Sequence, residues 1–200
     1  MKRAGASRRK FYEITPYRRG GLPGFTLENK DAFPSGFDGL SDLDDLPRFV
    51  FDKARGTLPR DLERWSAVWL ISDRTKVVFE SVDAKAFSFV PCAVRTPKGV
   101  WDGPQYWLCQ VLRILDALDE SRSRLRIGIR DDPRHPGFGQ KYYEFVGEAE
   151  LVFREDLIGD AHVFRMAHFQ SCVICDQEMK SACKSAGLRG LLFDDVRNLR

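Results

Sequence analysis

The sequence has no long hydrophobic run. None of its apolar stretches approaches the ~20 residues that a membrane helix requires, so no membrane span is expected. Behind the basic stretch from Met1 to Lys10 there is no apolar segment of the kind a secretory signal needs. The glycine patterns that let backbone N–H groups approach phosphate, G-x-x-x-x-G-K-[ST] and G-x-G-x-x-G, are missing. So are the H-E-x-x-H metalloprotease helix and the G-x-S-x-G nucleophile elbow. A disulfide framework is lacking as well. The five cysteines (Cys92, Cys109, Cys172, Cys175, Cys183) are odd in number and scattered, a pattern that suggests reduced thiols and a cytoplasmic location.

What is present is the composition of an ordinary globular protein of 200 residues: 43% apolar, 30% charged and 12% aromatic. A chain of this length buries roughly 70% of its unfolded surface, enough for a core without staples. Fifteen phenylalanines supply much of that core. The net charge of +3 is unevenly spread. Residues 1–20 hold seven basic groups against one acidic, and residues 21–64 hold six against nine. The reading is a flexible basic tip over 1–10 and a single domain over 11–200.

Local patterns place the elements. Strands are expected at 12–17, 48–51, 86–94, 105–115, 124–129, 142–153 and 162–167, with a long loop at 131–141 and a helical turn at 154–159. Ser72-Asp73 reads as an N-cap, followed by Thr75, Val78, Phe79 and Val82 at helical spacing. Near the end, Asp176 caps Met179, Ala182, Cys183 and Ala186, and Leu191-Leu192-Phe193 returns as a strand. A shift of 104 positions carries Ser72 onto Asp176, Phe79 onto Cys183 and Phe89 onto Phe193. The fold class that follows is α+β, with mainly antiparallel strands, two capped helices over about 73–84 and 177–186, and a possible pseudo-repeat of strand–helix–strand units.

Few residues carry chemistry. His168, Cys172, Cys175 and Cys183 have a loosely zinc-like spacing. However, Cys183 falls on an apolar helical face and a second C-x₂-C pair is missing, so no metal or cofactor is expected. His135, His162 and His168 leave room for a Cys–His nucleophilic site, although two of them lie in an apolar, strand-like stretch. Asp38, Asp42, Asp44 and Asp45 crowd one loop with no basic residue among them; they are either turn residues or an acidic contact patch. Lys2, Arg3, Arg8, Arg9 and Lys10 suit phosphate contacts, without the interleaved aromatics that read bases.

Four segments carry a resemblance: Lys10-Phe11-Tyr12; Leu70-Ile71-Ser72-Asp73 through Phe89-Val90-Pro91; Tyr106-Trp107-Leu108 through Leu118-Asp119; and Val163-Phe164-Arg165 through Leu191-Leu192-Phe193. In that order, over about residues 10–196, the chain resembles a family of bacterial immunity proteins encoded beside polymorphic and type VI secreted toxins. The resemblance implies a small cytoplasmic α+β protein that binds and neutralises a cognate toxin and catalyses nothing. Candidate partner-binding residues are Asp38, Asp42, Asp44 and Asp45, the aromatic anchors Trp101 and Trp107, and Arg134 and His135 of the 131–141 loop. A basic nuclease would suit the acidic loop. The alternatives are a nucleic-acid-binding module using the basic N-terminus and a small enzyme with a Cys–His site.

Overall fold

The β-formers Phe11, Tyr12, Ile14 and Thr15 make Phe11–Pro16 the first strand, β1, of the computed structural model. The structure describes residues 9–17, 23–33 and 39–199, and of Asp42 only the backbone. Short aromatic strands follow at β2 (Phe25–Leu27) and β3 (Arg48–Phe51). A tight hairpin joins β4 (Leu62–Trp65) to β5 (Val68–Ser72), with Ser66 at a φ of 53°. Helix α1 (Asp73–Asp83) leads through a 3-10 turn to β6 (Phe87–Pro91), β7 (Ala93–Thr96) and β8 (Gly99–Val100). Then come β9 (Tyr106–Val111) and β10 (Ile114–Leu115), followed by an arm of β11 (Arg126–Ile129) and β12 (Lys141–Glu144). The single turn α2 (Glu155–Ile158) precedes β13 (Val163–Met166), β14 (Phe169–Asp176), α3 (Gln177–Ser185) and β15 (Leu191–Asp195).

The strands form sheets in the orders β10-β13-β14-β1-β15, β4-β5-β9-β6, β2-β3-β7-β8 and β11-β12. Among the named strands of the described residues, only β10–β13 and β3–β7 pair in parallel, so the fold is α+β and mostly antiparallel. A central core lies between the two larger sheets and their helices, around Ile14, Leu62, Ile71, Phe79, Val163 and Cys175. Phe79 is fully buried and stacks on Phe87 with ring centroids 4.6 Å apart. Burying one such ring contributes about 2–3 kcal/mol.

The two larger sheets share a plan. In each, a hairpin (β4–β5 or β13–β14) runs into a capped helix, and the strand after the helix returns on the far side of an intervening antiparallel strand, β9 or β1. Ser72 lies opposite Tyr106 and Phe89 opposite Cys109; Asp176 lies opposite Phe11 and Phe193 opposite Ile14. Both caps are built alike. Ser72 Oγ accepts from Thr75 N, and Asp176 Oδ1 accepts from Met179 N. The Ser72 N–H donates to Asp61 O at 3.0 Å, and the Asp176 N–H to His162 O at 3.1 Å. Those same residues brace the cap side chains: Ser72 Oγ donates to Asp61 at 2.7 Å, and His162 Nδ1 lies 2.9 Å from Asp176 Oδ2. Lys76 of α1 sits over the rings of Phe89 and Trp107, and Lys180 of α3 over those of Phe193 and Tyr12.

Three expected strands are divided or shortened. The 86–94 stretch splits at Cys92, where Pro91 ends β6 and the chain leaves for the β2-β3-β7-β8 sheet. The 105–115 stretch splits at Leu112-Arg113, and β10 crosses to pair with β13. Beyond Glu144, a turn through Gly147 (φ 71°) replaces the expected continuation, leaving isolated bridges at Ala149, Glu150 and Phe153. β2 and β4 arise in the stretch up to Leu62, where Gly, Pro and Asp mask their short apolar cores.

Candidate functional site

The residues singled out from the sequence do not converge on one site. Asp38 and the side chain of Asp42 lie outside the described residues. Asp44 is exposed. Asp45 is engaged locally: its carboxylate accepts from Arg48 at 2.5 Å, from Asn29 and from the Leu46 N–H. The Arg48 bond first, and the Leu46 N–H second, hold it below the usual carboxylate range. Trp101 is half-buried against Phe25 and Phe51, and its Nε1–H donates to Pro104 O. Trp107 Nε1–H donates to Asp73, the first residue of α1, so this ring braces a helix start.

Arg134 and His135 stand exposed at the tip of the β11–β12 arm. Arg134 forms a fork with Asp132, and His135 Nδ1 accepts from the Gly137 N–H. Gly128 lets the Tyr142 ring lie close over the strand, since a Cβ there would come within 2.6 Å of it and displace the ring. The arm also presents three apolar side chains that sequence reasoning placed in a half-buried strand or a loop. Ile127, Ile129 and Phe138 are 42%, 58% and 55% exposed. The available signal was the alternation Arg124-Leu125-Arg126-Ile127-Gly128-Ile129 with no complementary apolar segment to cover its Ile face.

The cysteines and histidines brace the fold. All five cysteines are buried and free of disulfides. Burial pushes the Cys92 and Cys183 thiols up to about 12, and raises those of Cys109, Cys172 and Cys175 as well, which suppresses the thiolate a nucleophile needs. Cys172 packs in the core beneath the 117–153 segment and Cys175 in the central core, on opposite faces of β14. Among the described residues no three His, Cys, Asp or Glu side chains are grouped to hold a metal. Of the basic tip, Lys2, Arg3 and Arg8 lie outside the described residues, and Arg9 is docked: its guanidinium donates to Gly159 O, Ala161 O and Asp176 at 2.7–2.8 Å.

Two hollows remain. The larger, about 750 Å³, opens between the two main sheets and is lined by Glu13, Arg64, Trp69, Arg165 and Phe169 among others. Arg60 and Glu63 pair on its rim at 2.7 Å. The smaller contains Arg9, His162, Asp176 and Ser181. There Asp176 already serves its helix cap, His162 and Arg9, while Ser181 accepts from Gln177.

Titratable groups here brace sheets and caps, and the β11–β12 arm leaves apolar side chains open to solvent. The chain belongs to the Imm11 immunity protein family, whose model matches residues 6–198. No curated protein matches the chain.

Proposed function

We propose that this protein neutralises a cognate secreted toxin in the cytoplasm by binding and occluding it, without catalysis. The family match over residues 6–198 carries the reading. Support comes from the raised thiols and from histidines engaged with Asp116 and Asp176, which weigh against a Cys–His enzyme. The docking of Arg9 on Asp176 weighs against the basic tip as a nucleic-acid reader. Arg134, His135, Asp44 and Asp45 are the exposed contact candidates, Asp45 with its carboxylate already engaged by Arg48; Trp101 and Trp107 shape the surface from beneath.

The test is stoichiometry. The toxin encoded beside the gene, titrated with purified protein, should lose activity linearly and reach zero at one equivalent. Protection at a small fraction of an equivalent would indicate a catalytic antagonist. No protection and no complex would remove the immunity reading.

We also read residues 11–200 as one domain made of two related units. The shift of 104 positions is supported by matching registers, caps and lysine clamps. The resulting scaffold, sharing one central core, gives an occluding surface little freedom to deform.

A further inference from the structure

Resting on the immunity reading, we propose that the outer edge of β11 is the seam on which the toxin docks, by adding one of its own strands. That strand would carry acidic side chains on one face and apolar side chains on the other.

The main chain fixes the edge. Arg124 exchanges both backbone bonds with Glu150, and the Arg130 N–H donates to Gln140 O at 3.0 Å. The even-numbered residues of β11 therefore face β12, and by alternation the N–H and C=O groups of Ile127 and Ile129 point away from it. They have no partner among the described residues, because the β11–β12 ribbon has no third strand. A row of outward N–H and C=O groups is a template for strand addition.

The side chains specify the occupant. Ile127 and Ile129, both exposed, lie on one face beside the buried Tyr143 and the half-buried Lys141, with the exposed Phe138 in the loop beyond. On the other face stand Arg124, Arg126 and Arg130. Arg124 and Arg126 are about two-thirds exposed, and their pairings with Glu148 (3.8 Å) and Glu144 (3.2 Å) are solvated, hence weak and exchangeable. Arg130 lies over the Tyr142 ring. An incoming strand thus meets isoleucines on one side and arginines on the other, so alternation of apolar and acidic residues satisfies both.

The charges also argue against a second copy. Antiparallel pairing of two β11 strands centred on Gly128 sets Arg126 against Arg130 of the copy, and centring on Ile127 sets Arg124 there. Like charges directly opposite destabilise a sheet. A nucleic acid would use the arginines and leave the isoleucines uncovered.

The experiment uses the full chain and the toxin encoded beside its gene. Ile129→Lys places a charge on the apolar face, and Ile127→Pro removes one outward N–H without touching the β12 ladder. Arg124→Glu/Arg126→Glu reverses the basic face. With folding verified by circular dichroism, each is expected to weaken toxin binding by about 10–100-fold, and the arginine pair also slows association at low salt. In the wild-type complex the Ile127 and Ile129 amides should exchange with deuterium at least ~100-fold more slowly than in the free protein. The exchange readout stands even if Ile127→Pro fails to fold. A wild-type complex with unchanged exchange at these amides, and full affinity in Ile129→Lys, would overturn the seam while leaving immunity intact. Two further results would overturn the assigned occupant. One is a wild-type dimer abolished by Ile129→Lys. The other is duplex or single-stranded nucleic acid binding that only the arginine variant loses. If the wild type fails to bind the toxin at all, the immunity reading falls first.

Discussion

Replacing Arg113 with methionine tests how the two main sheets are tied together. Asp83, at the end of α1, accepts two bonds from Arg113, one of them 3.1 Å long, and one from the His162 N–H at 2.9 Å. Arg113 also donates to Val163 O. One carboxylate therefore joins a helix of the first sheet to the start of β13 in the other. The Asp83 side chain is 8% exposed and that of Arg113 24%. Removing one partner of a buried ion pair costs about 3–5 kcal/mol. Water reaching the quarter-exposed guanidinium reduces this to about 2–3 kcal/mol. For a domain of this size, Tm should fall by about 5–10 °C. The pH dependence is more diagnostic. Burial alone raises the Asp83 carboxyl, but Arg113 and the backbone N–H groups outweigh it and hold the group below the usual carboxylate range. The stability from this lowered pKa is full above the unfolded value of ~3.9 and is lost as pH falls through the folded value. In Arg113→Met the carboxyl rises relative to wild type. The gap between the two proteins is then widest near pH 7 and closes as pH falls. Urea unfolding of both at pH 7.0, 4.5 and 3.0 measures it. A gap below about 0.5 kcal/mol, or one equally wide at every pH, would refute the tie.

Lys76→Gln and Lys180→Gln should each cost about 0.5–1 kcal/mol in urea unfolding, alike if the two aromatic clamps are equivalent; a cost for only one would break the parallel. Ser72→Ala should destabilise by about 1–2 kcal/mol, because the hydroxyl is buried and serves both Thr75 N and Asp61; the thermal transition reads it. A thiol reagent at pH 8 should label no cysteine in the native protein and all five in denaturant, and fast labelling of any one would expose an unrecognised accessible thiol. Asp45→Asn should leave toxin association unchanged, since Arg48 and Asn29 already engage that carboxylate; slowed association would restore the acidic loop as a contact.

Both long helices were legible because their signals are local. A capping side chain and apolar residues at i, i+3, i+4 and i+7 act within one segment, and α1 and α3 begin at the residues so marked. Strand limits were less legible because pairing is not local. Apolar residues resume beyond Cys92 and beyond Arg113, yet at each point the chain leaves one sheet for another, a choice made by distant β3 and β13. The candidate contacts divide the same way. Trp101 and Trp107 read as anchors on hydrophobicity alone, while their indole N–H groups already have partners in Pro104 and Asp73. Ile127 and Ile129 read as half-buried because alternation reports which face is apolar and cannot report whether this chain covers it.

The position of β1 has a consequence for how the protein is made. Its central place between β14 and β15 means that this strand leaves the ribosome well before either of its partners is made. At 5–20 residues per second, roughly 8–30 s separate Pro16 from Phe169. The β4-β5-β9-β6 sheet has all its strands well before then. During that interval Phe11, Tyr12 and Ile14 have no sheet to join, and their apolar side chains stay uncovered until β14 and β15 arrive.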